Sequence, residues 1–250
     1  MIQLSILKIQ DYGPWTLTLG SDREHELQIL QASLYKEIQR QFSEKNCLVF
    51  LNRYDEFFVI SNGLNLEDHI EIQKNLESIF EIRLSISIGF ADSPFEANQN
   101  AYEGKKNGIS LSEEQNIFGF VDNFSKKEVT IMHFDVDNLS SKRTKFSPFE
   151  ISSIIFRLYA KMLKFFIEKN SLSFFMGGDN FMVVASIEGK KNAKKFIELV
   201  KNDDGILLNC GIGTGKTSRE AANLATKSLD TIREIRDSGK EKPEVFEIQC

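Results

Sequence analysis

The sequence predicts an α+β protein made of two tandem ferredoxin-like domains, each with an antiparallel sheet and helices on one face. Two observations predict this fold class. The chain repeats itself with an offset of about 124 residues, and both halves show the same order of strand and helix patterns. A chain of 250 residues has room for two domains of ordinary size, so the repeat accounts for the whole length.

The repeat is clearest near the end of each half. Residues 87–101 correspond to 211–225, with Glu96-Ala97 aligned on Glu220-Ala221. At the same offset residues 50–61 correspond to 174–185, which places Asp55 on Asp179. At the start of each half the apolar pattern fits best one residue further on, and Gln10 then aligns with Asp135.

Hydrophobic periodicity predicts the same six elements in each half, in the order βαββαβ with an extra helix at the end. In the first half they are a strand at 2–9, a helix at 23–43, two strands within 47–61, a helix at 66–79, a strand at 82–90 and a helix at 93–106. In the second half they are 129–136, 148–169, 172–186, 189–202, 206–213 and 217–237, with a possible edge strand at 245–248. The polar segment 111–127 is the predicted linker, although the apolar stretch 117–121 within it indicates local order. We place the domains at 1–126 and 127–250.

Composition narrows the possible functions. The chain has 36 acidic and 31 basic residues, a net charge of −5, which argues against a nucleic-acid partner. Its three cysteines, Cys47, Cys210 and Cys250, lie far apart, so no zinc site or disulfide framework is expected. No apolar run approaches the ~20 residues that span a bilayer, and no signal peptide is visible. We therefore expect a cytoplasmic protein with no membrane partner.

Candidate metal ligands lie where two neighbouring strands of the second half should meet. Alternation along the first strand places His133 and Asp135 on the face away from the main helices. Asp179 lies in the turn Gly177-Gly178-Asp179-Asn180, where the glycines permit a tight turn. Asp135, Asp179, the Val136 carbonyl and Asp137 are hard oxygen ligands that suit Mg²⁺. The alternative is that these residues are only turn and strand-end residues.

These motifs also carry a resemblance to known families. Phe134-Asp135-Val136-Asp137, followed some 40 residues later by the Gly177 to Asn180 turn, resembles the palm-type domains of class III nucleotide cyclases and diguanylate cyclases. The tandem of two such halves, with Tyr12-Gly13-Pro14-Trp15-Thr16 just after the first strand, resembles the archaeal GTP cyclohydrolase III family over essentially the whole chain. The resemblance implies Mg²⁺-dependent hydrolysis of GTP to 2-amino-5-formylamino-6-(5-phosphoribosylamino)pyrimidin-4(3H)-one and phosphate, towards flavin and deazaflavin cofactors.

The first half departs from the family pattern. Where the resemblance implies an aspartate at the end of the first strand, this chain has Gln10, with Asp11 one place later. A neutral amide cannot replace a carboxylate as a strong Mg²⁺ ligand. We therefore expect the metal in the second half, and a first-half site would need Asp11 together with Asp55.

Further candidates could bind the nucleotide. Lys216 follows a glycine-rich run that resembles a Walker A loop but has Cys210 where that motif needs glycine, so a helix-capping turn is the alternative. Asn223 and Lys227 lie one helical turn apart and resemble the ribose and phosphate contacts of class III cyclases. The remaining candidates are phosphate contacts at Arg53, Arg143 and Lys145, a packing or base-stacking role for Trp15, and an acid–base or structural role for His133.

Three functions remain open on the sequence alone. The first is Mg²⁺-dependent GTP cyclohydrolysis, with Asp135 and Asp179 as catalytic metal ligands. The second is formation of a cyclic nucleotide on the same carboxylates. The third is nucleotide binding by a degenerate tandem without catalysis. Open sheet faces usually pack against a partner, so we also expect a homo-oligomer.

Overall fold

The structure is a computed structural model that describes residues 1–121, 128–137 and 146–249. These residues form two compact units. The first contains residues 1–92 and 96–121, and the second contains residues 93–95, 128–137 and 146–249. Within the described residues, no helix is both long and apolar enough to cross a membrane.

The first unit is built on a six-stranded sheet in the order β2-β3-β1-β4-β6-β5. Its three central pairings, β2 with β3, β3 with β1 and β1 with β4, are all antiparallel. The elements are β1 (Ile2–Ile9), α1 (Tyr12–Leu17), α2 (Arg23–Glu44), β2 (Leu48–Arg53), β3 (Glu56–Ile60), α3 (Leu66–Phe80), β4 (Leu84–Ala91), α4 (Pro94–Lys106), β5 (Ser110–Ser112) and β6 (Ile117–Gly119).

The second unit repeats this plan on a five-stranded sheet in the order β11-β10-β7-β9-β8. Its elements are β7 (Val129–Val136), α5 (Pro148–Ile167), β8 (Leu172–Gly177), β9 (Asn180–Val184), α6 (Ile187–Lys191), α7 (Ala193–Asp204), β10 (Leu208–Gly215), α8 (Ser218–Asp237) and β11 (Val245–Gln249). Strand β7 lies between β9 and β10 and is antiparallel to both. The predicted α+β class, with the βαββαβ order in each half, is confirmed.

One face of each sheet carries the main core. In the second unit Met132 and Phe134 of β7 pack with Ile155 of α5 and Phe196 of α7, all nearly inaccessible to solvent. In the first unit the corresponding core joins β1 with α2 and α3. Burial of these apolar side chains is the main force that holds each helix layer on its sheet.

The opposite face, which the sequence analysis left open, is partly covered by the last helix of each half. Helix α8 lies on β10 and β7, and three glycines of β10 make this close approach possible. A Cβ on Gly211 or Gly213 would lie 2.2 Å from a backbone carbonyl oxygen of α8. Helix α4 approaches β4 in the same way at Gly89. The glycine-rich run at 211–215 is therefore part of a strand on which a helix packs at close range.

At four places the structure adds to the sequence expectation or departs from it. A short helix, α1, follows the first strand, and the chain enters it through Asp11 at φ 47°. The predicted linker contains β5 and β6, with β6 parallel to β4. The single helix expected at 189–202 is two helices that meet at Asn192, which caps the end of one and the start of the next. The possible edge strand at 245–248 is present as β11, parallel to β10.

Candidate active site

The carboxylates of Asp135 and Asp179 converge at one end of the second sheet. Asp135 lies near the end of β7, directly opposite Asn180 of β9. Asp179 precedes Asn180 in the β8–β9 turn, so strand pairing brings the two aspartates to the same place. Burial raises the pKa of Asp135, and the nearby negative charge of Asp179 acts in the same direction. The pair is therefore a concentration of negative charge at the sheet edge.

The β8–β9 turn depends on two glycines. Gly177 has φ 102° and Gly178 has φ 62°, both in the left-handed region where a side chain is strained. A Cβ on Gly177 would meet no atom within 4 Å, so glycine is needed there for its backbone conformation and not for lack of space. A cavity of about 530 Å³ lies beside Gly178, lined mainly by residues of α5 such as Ile151, Ile155 and Phe156. Asp179 thus lies at the end of a turn that borders a ligand-sized cavity.

Asp135 has a cationic partner on α8. Arg233 donates a hydrogen bond from Nη2 to the Asp135 carboxylate at 3.0 Å, and it also pairs with Asp230 at 2.9 Å. This contact lowers the pKa of Asp135 but does not outweigh burial, because the net shift is upward. Asp135 is only 8% exposed, so the guanidinium supplies charge compensation that solvent cannot.

Asp137 is placed differently from the other two aspartates. Its side chain is buried, and each carboxylate oxygen has a cationic partner: Arg236 at 3.2 Å and Lys242 at 3.0 Å. Burial alone would raise the pKa of Asp137, but the contacts with Lys242 and Arg236 outweigh it and lower the pKa. Both oxygens of Asp137 are thus engaged by cations in this structure, and its assignment as a metal ligand stays a prediction.

His133 belongs to a hydrogen-bond chain that ends on Asp179. Its Nε2 lies 3.1 Å from Asn180 Oδ1, and its Nδ1 lies 3.2 Å from Thr226 Oγ1 of α8. Asn180 Nδ2 in turn donates to Asp179 Oδ1 at 3.1 Å. Because an amide oxygen only accepts, Nε2 carries the proton and Nδ1 accepts from the threonine hydroxyl. Burial lowers the pKa of His133, which favours this neutral tautomer.

The donor set at this edge fits Mg²⁺. Among the described residues, no group of three or more His, Cys, Asp or Glu side chains is clustered as a metal site. Mg²⁺ commonly binds through one or two carboxylates and completes its octahedron with water and substrate phosphates. Asp135, Asp179 and the main chain at Val136 match that pattern. The Val136 side chain is buried in the core, so only its carbonyl oxygen is a candidate.

The structure does not bring Lys216 to this group. Gly215 pairs with Val129 at the start of β7, whereas Asp135 pairs with Asn209 at the other end. Six residues of strand separate these positions, about 20 Å. Lys216 N donates to Glu220 at 2.7 Å, and Thr217 caps α8. This turn therefore starts a helix, which is the alternative that the sequence left open.

The other nucleotide candidates are dispersed. Asn223 and Lys227 are both exposed on α8. Arg53 is in the first unit, where it pairs with Glu56 at 3.1 Å. Arg143 and Lys145 lie outside the described residues. Trp15 packs against the core of the first unit, with its ring 6.0 Å from that of Tyr12.

The first unit has different residues at the sheet edge that corresponds to the edge with Asp135 and Asp179. Gln10 follows β1 and donates its backbone N–H to Arg83, while Asp11 adopts left-handed backbone geometry. The Asp55 carboxylate lies 3.5 Å from Arg53 Nε. Strand register places Lys8, and not Gln10 as the sequence alignment had it, at the position of Asp135, so this edge has a cation where the second unit has a carboxylate. A first-half Mg²⁺ site made by Asp11 and Asp55 stays a prediction.

Sequence reasoning missed the cations that hold the aspartates. Arg233, Arg236 and Lys242 lie about 100 residues from their partners, and charged residues on a surface helix are usually solvated. One signal was present: Arg233 lies seven residues after Thr226, so both project from the same side of α8.

The fold defines a tandem α+β protein of two ferredoxin-like units, with two aspartates at one edge of the second sheet. The family model described as "GTP cyclohydrolase III" matches residues 2–245. This chain belongs to the GTP cyclohydrolase III family.

Two relatives support this assignment by their sequences. The chain is 36% identical over 239 residues to the GTP cyclohydrolase III of Methanothermobacter thermautotrophicus, covering 93% of this chain and 95% of that protein. It is 33% identical over 246 residues to the enzyme of Methanobrevibacter smithii, covering 96% of each. Among solved structures, a bacterial light-regulated adenylyl cyclase is similar with a TM-score of 0.41 at 14% identity, covering 94% of this chain and 83% of that one.

Proposed function

We propose that this chain is a Mg²⁺-dependent GTP cyclohydrolase that opens the imidazole ring of guanine and releases phosphate. The observation that supports this most directly is the convergence of Asp135 and Asp179 at one edge of the second sheet, where the adjoining Gly178 lines a cavity of about 530 Å³. Family membership supports GTP as the substrate, because the relatives carry the name GTP cyclohydrolase III.

Each residue of the edge has a defined part in this proposal. Asp135, Asp179 and the Val136 carbonyl hold Mg²⁺, which when bound supplies positive charge to the triphosphate and lowers the pKa of a coordinated water. His133 and Asn180 fix the orientation of Asp179 through their hydrogen bonds. Arg233 neutralises Asp135 in the absence of metal. Asp137 stabilises this edge of the sheet through its ion pairs with Arg236 and Lys242.

The cavity beside Gly178 is the proposed place for the guanine base. Its walls are mainly apolar and include the rings of Phe156 and Phe175, which can pack against a planar base. Glycine at 178 keeps that side of the turn free of a side chain, so a ligand can approach the backbone. Lys227 and Asn223 on α8 remain candidates for phosphate and ribose contacts from the solvent side.

The test is the product formed from GTP by aspartate variants. Asp135→Asn and Asp179→Asn should each lower turnover at least 100-fold, because each removes one ligand worth several kcal/mol of transition-state stabilisation. Asp203→Asn, at an exposed aspartate paired with Lys161, is the matched control and should leave turnover unchanged. Loss of guanine absorbance with phosphate release supports the proposal, and full turnover by both variants contradicts it.

The same experiment separates the two rival functions. A nucleotide cyclase would release pyrophosphate and leave the guanine absorbance intact. A non-catalytic tandem would bind GTP without any product in the wild-type protein. Either result contradicts cyclohydrolase activity.

We also propose that the chain forms a homo-oligomer. Phe149 of α5 is 85% exposed and Ile187 of α6 is 78% exposed, with Leu163 and Ile167 also exposed on α5. Apolar surface of this kind is commonly covered by a partner, and a second copy of the chain is the simplest one. Phe149→Ser should shift the wild-type oligomer towards monomer in light-scattering measurements, and a wild-type protein that is already monomeric contradicts the proposal.

A further inference from the structure

A cleft lined by basic residues lies on the face of the first sheet that carries α4. Its volume is about 530 Å³. We call it the basic cleft and define it by Lys8 of β1, Arg53 and Glu56 at the β2–β3 turn, and Tyr102, Lys105 and Lys106 of α4. Four cations and one carboxylate in one cleft are unusual in a chain with a net charge of −5.

Strand register explains how these residues meet. Lys8 pairs with Glu56 of β3 on one side and with Ser85 of β4 on the other, so it is central on the sheet face. Lys105 reaches the same place from α4 and donates to Ser85 Oγ at 2.6 Å. A second cavity of about 280 Å³ is also lined by Lys8 and Lys105 and extends to Gln10 and Asp11. The two lysines therefore lie at the junction of two cavities.

The carboxylates of the first unit only partly balance these cations. Arg53 has two carboxylates nearby, Glu56 at 3.1 Å and Asp55 at 3.5 Å. Lys8 lies 4.0 Å from Glu56, and Lys106 lies 3.7 Å from Glu103. Within the described part of the chain, no carboxylate oxygen lies within 4.0 Å of the Lys105 ammonium group. Burial lowers the pKa of Lys105, and the positive charge of Lys8 lowers it further. A half-buried ammonium beside a second cation is a place where a bound anion relieves an unfavourable charge.

The second unit lacks this arrangement at the equivalent positions. Lys8 pairs with Glu56 and Ser85 as Asp135 pairs with Asn180 and Asn209, so Lys8 lies where the second unit has Asp135. The repeat aligns the other cations and Tyr102 as follows: Arg53 with Gly177, Tyr102 with Thr226, Lys105 with Leu229 and Lys106 with Asp230. None of these second-unit residues is Lys or Arg, and Asp135 has the opposite charge to Lys8. The two halves have therefore diverged in charge at the same position of the fold.

We propose that the basic cleft is a second anion site, which binds the phosphate groups of a small molecule through Lys8, Lys105 and Arg53 without a metal ion. Ammonium and guanidinium groups donate charge-assisted hydrogen bonds to phosphate oxygens. The same positive charges disfavour a metal cation. The phosphates belong either to free inorganic phosphate or pyrophosphate, or to a nucleotide whose base packs against the exposed ring of Tyr102. This site is separate from the proposed Mg²⁺ site in the second unit and does not depend on it.

The test is calorimetric titration of the full-length protein in EDTA with pyrophosphate, and separately with GTP. The wild-type protein should bind at least one of these ligands. Lys105→Met and Lys8→Met should each weaken binding about tenfold or more, because each removes a charged hydrogen-bond donor. Lys74→Met, at an exposed lysine of α3 away from the cleft, should bind as the wild type does. Tighter binding of GTP than of pyrophosphate identifies a nucleotide, and the reverse identifies an inorganic anion.

Two controls keep this test independent of the proposed catalytic site. Asp135→Asn should leave binding in EDTA unchanged, even if it abolishes turnover of GTP. Lys8 has a 42% exposed side chain, so Lys8→Met tests the site even if the Lys105 variant does not fold. The proposal is overturned if the wild-type protein binds neither ligand in EDTA. It is equally overturned if Lys74→Met weakens binding as much as Lys8→Met does.

Discussion

Arg233 lies with its Nη2 atom 3.0 Å from the Asp135 carboxylate. A cation on α8 thus occupies one oxygen of the carboxylate that we propose as the principal metal ligand. The guanidinium and a metal ion would offer the same charge compensation to a largely buried group.

This contact predicts that Arg233 and Mg²⁺ compete for the Asp135 carboxylate. Arg233→Met should lower the free energy of unfolding of the metal-free protein by about 1–2 kcal/mol, because it leaves Asp135 buried without a partner. Mg²⁺ should then raise the melting temperature of the variant more than that of the wild type, because binding to the native state stabilises it. Thermal melts with and without Mg²⁺ measure both effects. Arg157→Met, at an exposed arginine of α5, is the control. Equal responses to Mg²⁺ in variant and wild type would contradict this competition.

The hydrogen-bond chain from His133 to Asp179 predicts a positioning role for the imidazole. His133→Leu should raise the Mg²⁺ concentration needed for half-maximal activity about tenfold, because Asn180 loses the donor that orients it towards Asp179. His133→Gln, which retains an N–H donor, should recover most of this loss. Steady-state kinetics as a function of Mg²⁺ distinguish the two variants. If His133→Gln is as impaired as His133→Leu, the imidazole has another role, such as proton transfer.

The glycines of β10 predict a strong effect on stability. Gly213→Ala should lower the free energy of unfolding by about 3 kcal/mol or more, since its Cβ would overlap backbone atoms of α8 at 2.2 Å. Urea denaturation measures the loss. Gly13→Ala, where a Cβ meets no atom within 4 Å, is the control and should have little effect. A Gly213→Ala protein as stable as the wild type would show that α8 does not depend on this close approach.

His69 predicts a pH dependence of stability in the first unit. It is fully buried, with Nδ1 2.6 Å from Asn65 O and Nε2 2.8 Å from Ser5 Oγ, and burial lowers its pKa. His69 therefore binds a proton more readily in the unfolded chain than in the native protein. Its full contribution to the free energy of unfolding is present above the unfolded pKa of about 6.5, and this contribution falls as the pH drops below that value. His69→Gln should flatten this slope between pH 7 and pH 5 in urea titrations, whereas His25→Gln, at an exposed position, should not. An unchanged slope in His69→Gln would assign the effect to other groups.

The sequence predicted the repeated fold because its signals are local. Alternation in strands such as Val129–Val136 and the amphipathic pattern of Pro148–Ile167 report which side of each element is buried. Capping residues mark helix starts: Ser147 with Glu150, and Asn65 with Asp68, form reciprocal capping hydrogen bonds. The short helix α1 was missed because its six residues contain both glycine and proline and bury no side chain.

The sequence by itself determined that the chain is a duplicated α+β protein with two aspartates at adjoining strand ends, because periodicity and strand adjacency follow from neighbouring residues. Only the tertiary structure decided which side chain contacts those aspartates. Arg233 and Lys242 reach Asp135 and Asp137 through the path of α8 and the chain beyond it, and the glycines of β10 allow that path. Likewise, Lys105 lies beside Lys8 only because α4 packs on the face of the first sheet opposite α2 and α3. Such contacts between distant residues depend on how helices pack on sheets, which no local pattern encodes.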